Sequence, residues 1–87
     1  MKTKKYDLYA DPGHAWVKVK RTELDKLGIA DKISSYSYQR GEHVYLEEDC
    51  DLYRFMEAME AIGVKVTFRE YVGNKTSRIR NYENYVA

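Results

Sequence analysis

Residues 51–69 read DLYRFMEAMEAIGVKVTFR and contain the clearest helix and the clearest strand of the chain. Gly63 is expected to end the helix, since glycine readily adopts the left-handed conformation found at helix ends. Asp49 or Asp51 is the expected cap at the other end. In residues 64–69 apolar and polar side chains alternate, which predicts a half-buried strand. The helix is predicted from apolar residues at the spacing of one buried face, namely Leu52, Phe55, Met56, Met59 and Ile62.

The first third of the chain predicts a hairpin followed by a short helix. Residues 4–10 and 15–20 alternate as strands do. Pro12 and Gly13 between them suit a type II turn, in which glycine takes a positive φ. Thr22 is the expected N-cap of the helix, which ends near Gly28.

Residues 35–46 predict a second hairpin, which turns at residues 39–42. A register shift of one residue would exchange the two faces of this hairpin, so the assignment of faces is open. In the favoured register, Val44 and Leu46 share one face, and the other carries Tyr36, Tyr38, His43 and Tyr45.

Without the first strand, the elements follow the order strand–helix–strand–strand–helix–strand. This order predicts an α+β fold: a small antiparallel or mixed sheet with two helices on one face. A ferredoxin-like sheet, with the N-terminal strand added at an edge, is the arrangement we expect. Residues 1–72 are predicted to form a single domain, and residues 73–87 a basic, tyrosine-containing C-terminal tail. Whether this tail is helical, docked or disordered is not specified by its sequence.

Length and composition support one small domain. The chain has 87 residues, of which 44% are hydrophobic and 33% are charged, with a single cysteine. Its apolar runs are shorter than the 18 to 20 or so residues that a membrane span needs, so we expect no membrane insertion. No apolar stretch follows the first five residues, which argues against a signal peptide. One cysteine cannot form an intrachain disulfide, and we therefore expect a cytoplasmic protein.

Charge and tyrosine content favour recognition over catalysis. Residues 42–60 hold seven acidic side chains and one basic one, whereas the rest of the chain has 14 basic and seven acidic ones. Nine residues are tyrosines, and tyrosine is enriched at interfaces because its ring is apolar and its hydroxyl polar. Tyrosines that simply fill half-exposed strands are the alternative interpretation.

No convincing set of catalytic residues emerges. Asp11 and His14 could form an acid–base pair, but a structural turn explains them better. Cys50 lies between two aspartates, which disfavour a reactive thiolate. A cation site formed by His43 and the acids of residues 47–51 is the metal alternative, but acids are also expected at a helix start. We therefore predict no enzyme activity, no cofactor and no metal.

Residues 40–45, RGEHVY, invite comparison with RNA-recognition motifs, in which a base and a glycine precede stacking aromatics. Glu42 stands where a stacking aromatic belongs, so the motif fails. The basic, tyrosine-containing tail still has the residue types that bind single-stranded nucleic acid.

Three stretches carry a resemblance to known proteins. They are DPGHAWVKV at residues 11–19, ISSYSYQRG at residues 33–41 and YLEEDCD at residues 45–51. Together they resemble a group of small uncharacterised proteins of tailed bacteriophages and related mobile elements. The resemblance implies an intracellular protein made during infection that modulates host machinery or host defence. It assigns no catalytic residues.

The leading hypothesis is a small non-enzymatic protein that binds a host protein. The alternative is a module that binds single-stranded DNA or RNA through tyrosines and the basic tail. Self-association is also compatible with so short a chain. The predicted contact residues are Tyr36, Tyr38, Arg40, Tyr45, Glu47, Glu48, Arg78, Arg80 and Tyr82.

Overall fold

A computed structural model describes residues 2–87 and confirms the α+β fold, with six strands in one mixed sheet and two helices. Neither helix is long or apolar enough to cross a membrane, within the described residues. Two short 3-10 turns, Ala30–Lys32 and Arg78–Asn81, complete the structure. The strands are β1 (Lys2–Ala10), β2 (Ala15–Lys20), β3 (Tyr38–Arg40), β4 (His43–Glu47), β5 (Val64–Val72) and β6 (Glu83–Asn84), and the helices are α1 (Arg21–Leu27) and α2 (Leu52–Ala61).

The strand order is β5-β1-β2-β4-β3-β6. All neighbours are antiparallel except β1 and β5, which pair in parallel from Lys2 opposite Val64 to Ala10 opposite Val72. The expectation of an N-terminal strand added at the edge is therefore wrong, because β1 lies inside the sheet between β2 and β5. Its central position satisfies backbone groups on both of its sides and places Tyr6 and Leu8 over the core.

Both helices pack on the same face of the sheet, as predicted. Val17 of β2, Val44 of β4 and Phe55 of α2 are fully buried in this core. The buried stripe of α2 is narrower than its sequence indicates, because Met56 is 37% and Ile62 is 62% exposed. The opposite face of the sheet, called the open face below, carries neither α1 nor α2, and the 3-10 turn Arg78–Asn81 packs on it.

The helix ends differ in part from the predicted caps. Thr22 lies inside α1 instead of capping it, and the carboxylate of Glu23 accepts a hydrogen bond from the backbone N–H of Lys20 at 3.1 Å. Asp51 precedes α2, but its side chain makes no cap hydrogen bond. Gly63 follows α2 with a φ of 77°, as expected for a residue that ends a helix.

Residues 73–87, the C-terminal segment, are docked on the sheet and are not α-helical. Strand β6 pairs with β3, which adds a sixth strand at the edge. Tyr85 then enters the core on the helix side, where its hydroxyl donates to the carbonyl of Ala30. Its backbone N–H donates to the carbonyl of Ser37 at 2.9 Å. The segment thus contributes to the same hydrophobic core as both helices.

Replacing Tyr85 with alanine tests this integration. We expect Tyr85→Ala to lower the free energy of unfolding by about 3 kcal/mol, since a buried aromatic side chain is removed and a cavity remains. Urea denaturation followed by circular dichroism measures the change. Val86→Ala is the control, because Val86 is 60% exposed. Equal stability of the two variants would contradict the docking of this segment.

Candidate binding surface

The C-terminal segment divides the open face into two hollows. Ile79, in the 3-10 turn, is 4% exposed and packs with Trp16 and Tyr45 in a second, smaller hydrophobic cluster. The ring of Tyr82 lies 5.1 Å from that of Tyr45, and the guanidinium of Arg40 lies over Tyr82 at 5.0 Å from its centroid. This packing positions the 3-10 turn, whose two sides border the hollows.

Asp11 anchors the segment. Its carboxylate accepts hydrogen bonds from Arg80 Nε at 2.7 Å and Nη2 at 2.9 Å, and from the backbone N–H of Ser77 at 2.9 Å. It also accepts from the backbone N–H groups of Gly13 and His14, both at 3.0 Å. The Asp11 side chain is 1% exposed. The hydrogen bonds from Arg80, followed by that from Ser77, hold the pKa of Asp11 well below its usual range.

This carboxylate also shapes the turn between β1 and β2. Gly13 has no positive φ, so the predicted type II turn is wrong, and the Asp11 side chain closes the turn instead. A Cβ atom on Gly13 would lie 2.9 Å from Arg80 Nη2, so glycine leaves the room that the guanidinium needs. Asp11 is thus structural, as the turn interpretation predicts, and the imidazole of His14 pairs with Glu47 instead.

The larger hollow, called the tyrosine groove, lies between the 3-10 turn and β5 and has a volume of about 770 Å³. Tyr9 and Tyr71, opposite each other on β1 and β5, stack with centroids 5.2 Å apart and planes 16° apart. Tyr71 is 45% exposed. Three cationic side chains and one acidic one share the lining; they are Lys18, Lys75, Arg78 and Glu70.

The positive surface continues past the groove. A neighbouring hollow of about 510 Å³ shares Lys18 and adds Lys5, Lys20 and Arg69. Its carboxylates are already paired: that of Asp7 lies 3.5 Å from Arg69 Nη1, and that of Glu23 binds Lys4 and Tyr6. A chain with a net charge of +1 therefore concentrates cations on one half of its open face.

The smaller hollow, called the His14 pocket, has a volume of about 270 Å³. His14 Nδ1 lies 3.2 Å from Glu47 Oε1. The other oxygen of Glu47 accepts from the backbone N–H groups of Asp49 and Cys50, both at 2.9 Å. One nitrogen of His14 and one oxygen each of Glu47 and Asp49 all lie within 4.8 Å of one another. The complete lining is His14, Trp16, Tyr36, Tyr38, Glu47, Asp49, Cys50 and Arg80.

The indole of Trp16 forms part of this pocket wall. Trp16 is 1% exposed. Its indole Nε1 is buried and has no hydrogen-bond partner among residues 2–87. Its ring lies 6.0 Å from that of His14, and the guanidinium of Arg80 lies 5.3 Å from its centroid. A buried donor without an acceptor is uncommon in proteins and calls for an explanation.

The acidic stretch before α2 divides between interior and surface. Asp51 is buried, and its carboxylate accepts from the hydroxyls of Ser34 and Ser37 and from the backbone N–H of Ser34. The hydroxyl of Ser37 in turn accepts from the backbone N–H of Glu47 at 2.9 Å.

The surroundings of Cys50 disfavour the nucleophilic thiolate. A hydrogen bond to Glu47 and, to a smaller extent, burial raise the pKa of the Cys50 thiol.

The predicted contact residues fall mostly around the two hollows. Tyr45, Arg78 and Tyr82 line the tyrosine groove, and four others line the His14 pocket. Tyr45 and Glu47 are only 8% and 5% exposed, so burial leaves them little surface for contact with a macromolecule. Exposed Glu48 lines neither hollow. The four pocket residues are Tyr36, Tyr38, Glu47 and Arg80, and Arg40 stacks on Tyr82.

Sequence reasoning missed the residues that the parallel pairing of β1 and β5 brings together. Tyr9 and Tyr71 are 62 positions apart but directly opposite in that register. Because each tyrosine alternates with inward-facing residues along its strand, the sequence indicates that it lies on the open face. No local pattern reveals that β5 is the neighbour of β1. The pairing of His14 with Glu47 was missed for the same reason, since the metal alternative relied on His43, which lies outside this pocket.

Comparisons with protein-family models, with curated proteins and with solved structures find no match to this chain. The two hollows therefore have to be interpreted from their own chemistry.

The ion pair of Asp11 predicts a pH-dependent loss of stability. Asp11→Asn should lower the free energy of unfolding most near neutral pH. The loss relative to the unsubstituted protein should become smaller as the pH falls below about 4. In the unfolded chain, aspartate takes up a proton near pKa 3.9. Folded Asp11 stays ionised at that pH because its pKa is lowered, so protonation of the unfolded chain removes the stability that the ion pair provides. Urea denaturation at pH 7 and pH 3 measures both differences.

Asp31→Asn is the control for that experiment, because Asp31 is exposed in the turn after α1. The loss in free energy of unfolding caused by Asp11→Asn could also be the same at both pH values. That result would show that the carboxylate is not held by the charge of Arg80.

Proposed function

We propose that the protein is a binding module without a catalytic role and that its tyrosine groove holds single-stranded DNA or RNA. The observation that supports this best is the exposed ring of Tyr71, stacked on half-buried Tyr9 beside Lys18, Lys75 and Arg78. Aromatic rings stack on unpaired bases, and cations neutralise the phosphates between them. An exposed tyrosine beside cations on an open sheet face offers both contacts to one extended strand.

The form of the groove supports an extended ligand. It is an open channel of about 770 Å³ that continues through Lys18 into the second basic hollow. Sheet surfaces with aromatic and basic side chains are a common platform for single-stranded nucleic acids. Since the tyrosine ring stacks on any base, the expected binding has little dependence on sequence.

The candidate catalytic groups support a binding role. All five hydrogen bonds of the Asp11 carboxylate serve the turn and the C-terminal segment, so it is poorly placed to act as a general base. The raised pKa of Cys50 disfavours covalent catalysis.

A protein partner is the second candidate, and a different surface favours it. Tyr53 and Met56 of α2 are 47% and 37% exposed and lie three residues apart, which places them on one side of the helix. The acidic residues Glu57 and Glu60 are exposed on the same helix. The guanidinium of Arg54 lies 5.2 Å from the centroid of the Tyr53 ring, so this surface combines the apolar pair with one cation and two carboxylates. Such a mixed surface suits a protein partner. From the resemblance to phage proteins, we propose that this partner comes from a bacterial host.

Binding of a fluorescein-labelled oligothymidylate and of the corresponding oligouridylate, followed by fluorescence anisotropy, tests the groove. Contacts from three cations predict that log K falls with log salt concentration with a slope of about −2, given about −0.7 per phosphate on single strands. Tyr71→Ala should weaken binding about fivefold or more, as expected for the loss of one stacked base. Arg78→Glu should weaken it as well and make the salt dependence shallower.

Tyr53→Ala and Lys32→Glu are the matched controls, since both residues are exposed and lie away from the groove. Absence of salt-sensitive binding, or equal losses in Tyr71→Ala and Tyr53→Ala, would refute the nucleic-acid proposal. In that case, a protein that co-purifies after nuclease treatment and is lost with Tyr53→Ala would support the second candidate.

A further inference from the structure

We propose that the His14 pocket binds a divalent transition-metal ion through His14, Glu47 and Asp49. This inference is independent of the nucleic-acid proposal, because the pocket lies on the other side of the 3-10 turn. It rests on the geometry of the three side chains, on the way the fold orients them and on the unpartnered indole N–H of Trp16, a residue of the pocket lining.

The three ligand atoms are close enough to share one ion. One nitrogen of His14 and one oxygen each of Glu47 and Asp49 lie within 4.8 Å of one another. Bonds of about 2.0 to 2.2 Å from tetrahedral Zn²⁺ to nitrogen and oxygen place two ligand atoms about 3.4 Å apart. The remaining gap is at most about 1.4 Å. His14 and Asp49 are exposed, so rotation of their side chains can close it.

The fold fixes the least mobile of the three ligands. Glu47 is buried, and two backbone N–H groups hold its Oε2, which leaves Oε1 directed at His14. Hydrogen bonds that orient a ligating carboxylate in this way are typical of metal sites. Two hydrogen bonds with Asp11 hold the backbone of His14. Its N–H donates to the Asp11 carboxylate at 3.0 Å, and its carbonyl accepts from the Asp11 backbone N–H at 2.9 Å. The pairing of β2 with β4 places Trp16 opposite Glu47.

Trp16 gives a second, independent indication of a ligand. Its buried indole N–H has no acceptor among the side chains and backbone groups of residues 2–87, and its ring borders the pocket. Metal ions bound by three protein ligands keep water in the remaining positions. Such a water donates its own protons, so a further water in this hollow of about 270 Å³, hydrogen-bonded to the first, is the acceptor that a bound ion would bring to the indole.

The donor set selects the class of ion. One imidazole nitrogen and two carboxylate oxygens suit ions such as Zn²⁺ or Mn²⁺, whereas Mg²⁺ prefers oxygen ligands alone. The local charge favours a cation, because Glu47 and Asp49 are both acidic and Arg80, the guanidinium in the pocket lining, is already paired with Asp11.

Isothermal titration calorimetry of the full chain with Zn²⁺, in a reducing buffer at pH 7, tests the site. We expect one ion per chain and at least tenfold weaker binding in His14→Gln and in Asp49→Asn. The controls remove the same chemical groups outside the cluster: His43→Gln takes the other imidazole and Glu48→Gln an adjacent exposed carboxylate. Both controls should bind Zn²⁺ as the unsubstituted protein does, and Mg²⁺ should bind at least tenfold more weakly than Zn²⁺.

Circular dichroism checks that His14→Gln and Asp49→Asn remain folded, which their exposed positions predict. Absence of Zn²⁺ binding, or equal losses in the variants and the controls, would overturn the proposal. Loss of binding in Cys50→Ser together with full binding in His14→Gln would place the ion on the thiol and would also overturn it. An increase in Tm with Zn²⁺ that disappears in Asp49→Asn is the supporting second measurement.

Discussion

The carboxylate of Asp11 is the interaction on which the binding surface depends. It closes the turn between β1 and β2 and holds Ser77 and Arg80 of the C-terminal segment with the same two oxygens. Because a buried carboxylate is costly unless it is fully hydrogen-bonded, its five donors have to be present together. One side chain thereby couples the first hairpin to the last residues of the chain.

The position of the C-terminal segment explains why so small a protein has two surface hollows as well as a core. The segment covers Trp16 and Tyr45, which would otherwise be an exposed apolar patch, and it continues around the edge of the sheet to bury Tyr85. What it leaves uncovered differs on its two sides. The side toward β5 is basic and aromatic, and the side toward residues 47–50 is aromatic and acidic, with an imidazole. The near-neutral total charge thus conceals two surfaces of opposite sign.

Tyrosine occupies two kinds of position in this structure. Tyr6, Tyr45 and Tyr85 are buried and stabilise the core, whereas Tyr36, Tyr53 and Tyr71 are largely exposed. Desolvation by burial raises the pKa of Tyr45 and of Tyr85, in keeping with their interior positions. The tyrosines available for recognition are therefore fewer than the composition indicates.

The sequence alone determined the fold class, the helix that ends at Gly63 and most of the strands, because these follow from local periodicity and turn chemistry. It also indicated that acids and bases lie in separate segments. Only the tertiary structure decided that β1 lies between β2 and β5, that residues 73–87 are docked, and which residues share a hollow. Those outcomes depend on pairings between residues far apart in the chain, such as Tyr9 with Tyr71 and Asp11 with Arg80. The spacing of residues along a strand specifies which face each side chain occupies but not which strand lies beside it. No local pattern therefore encodes these long-range pairings.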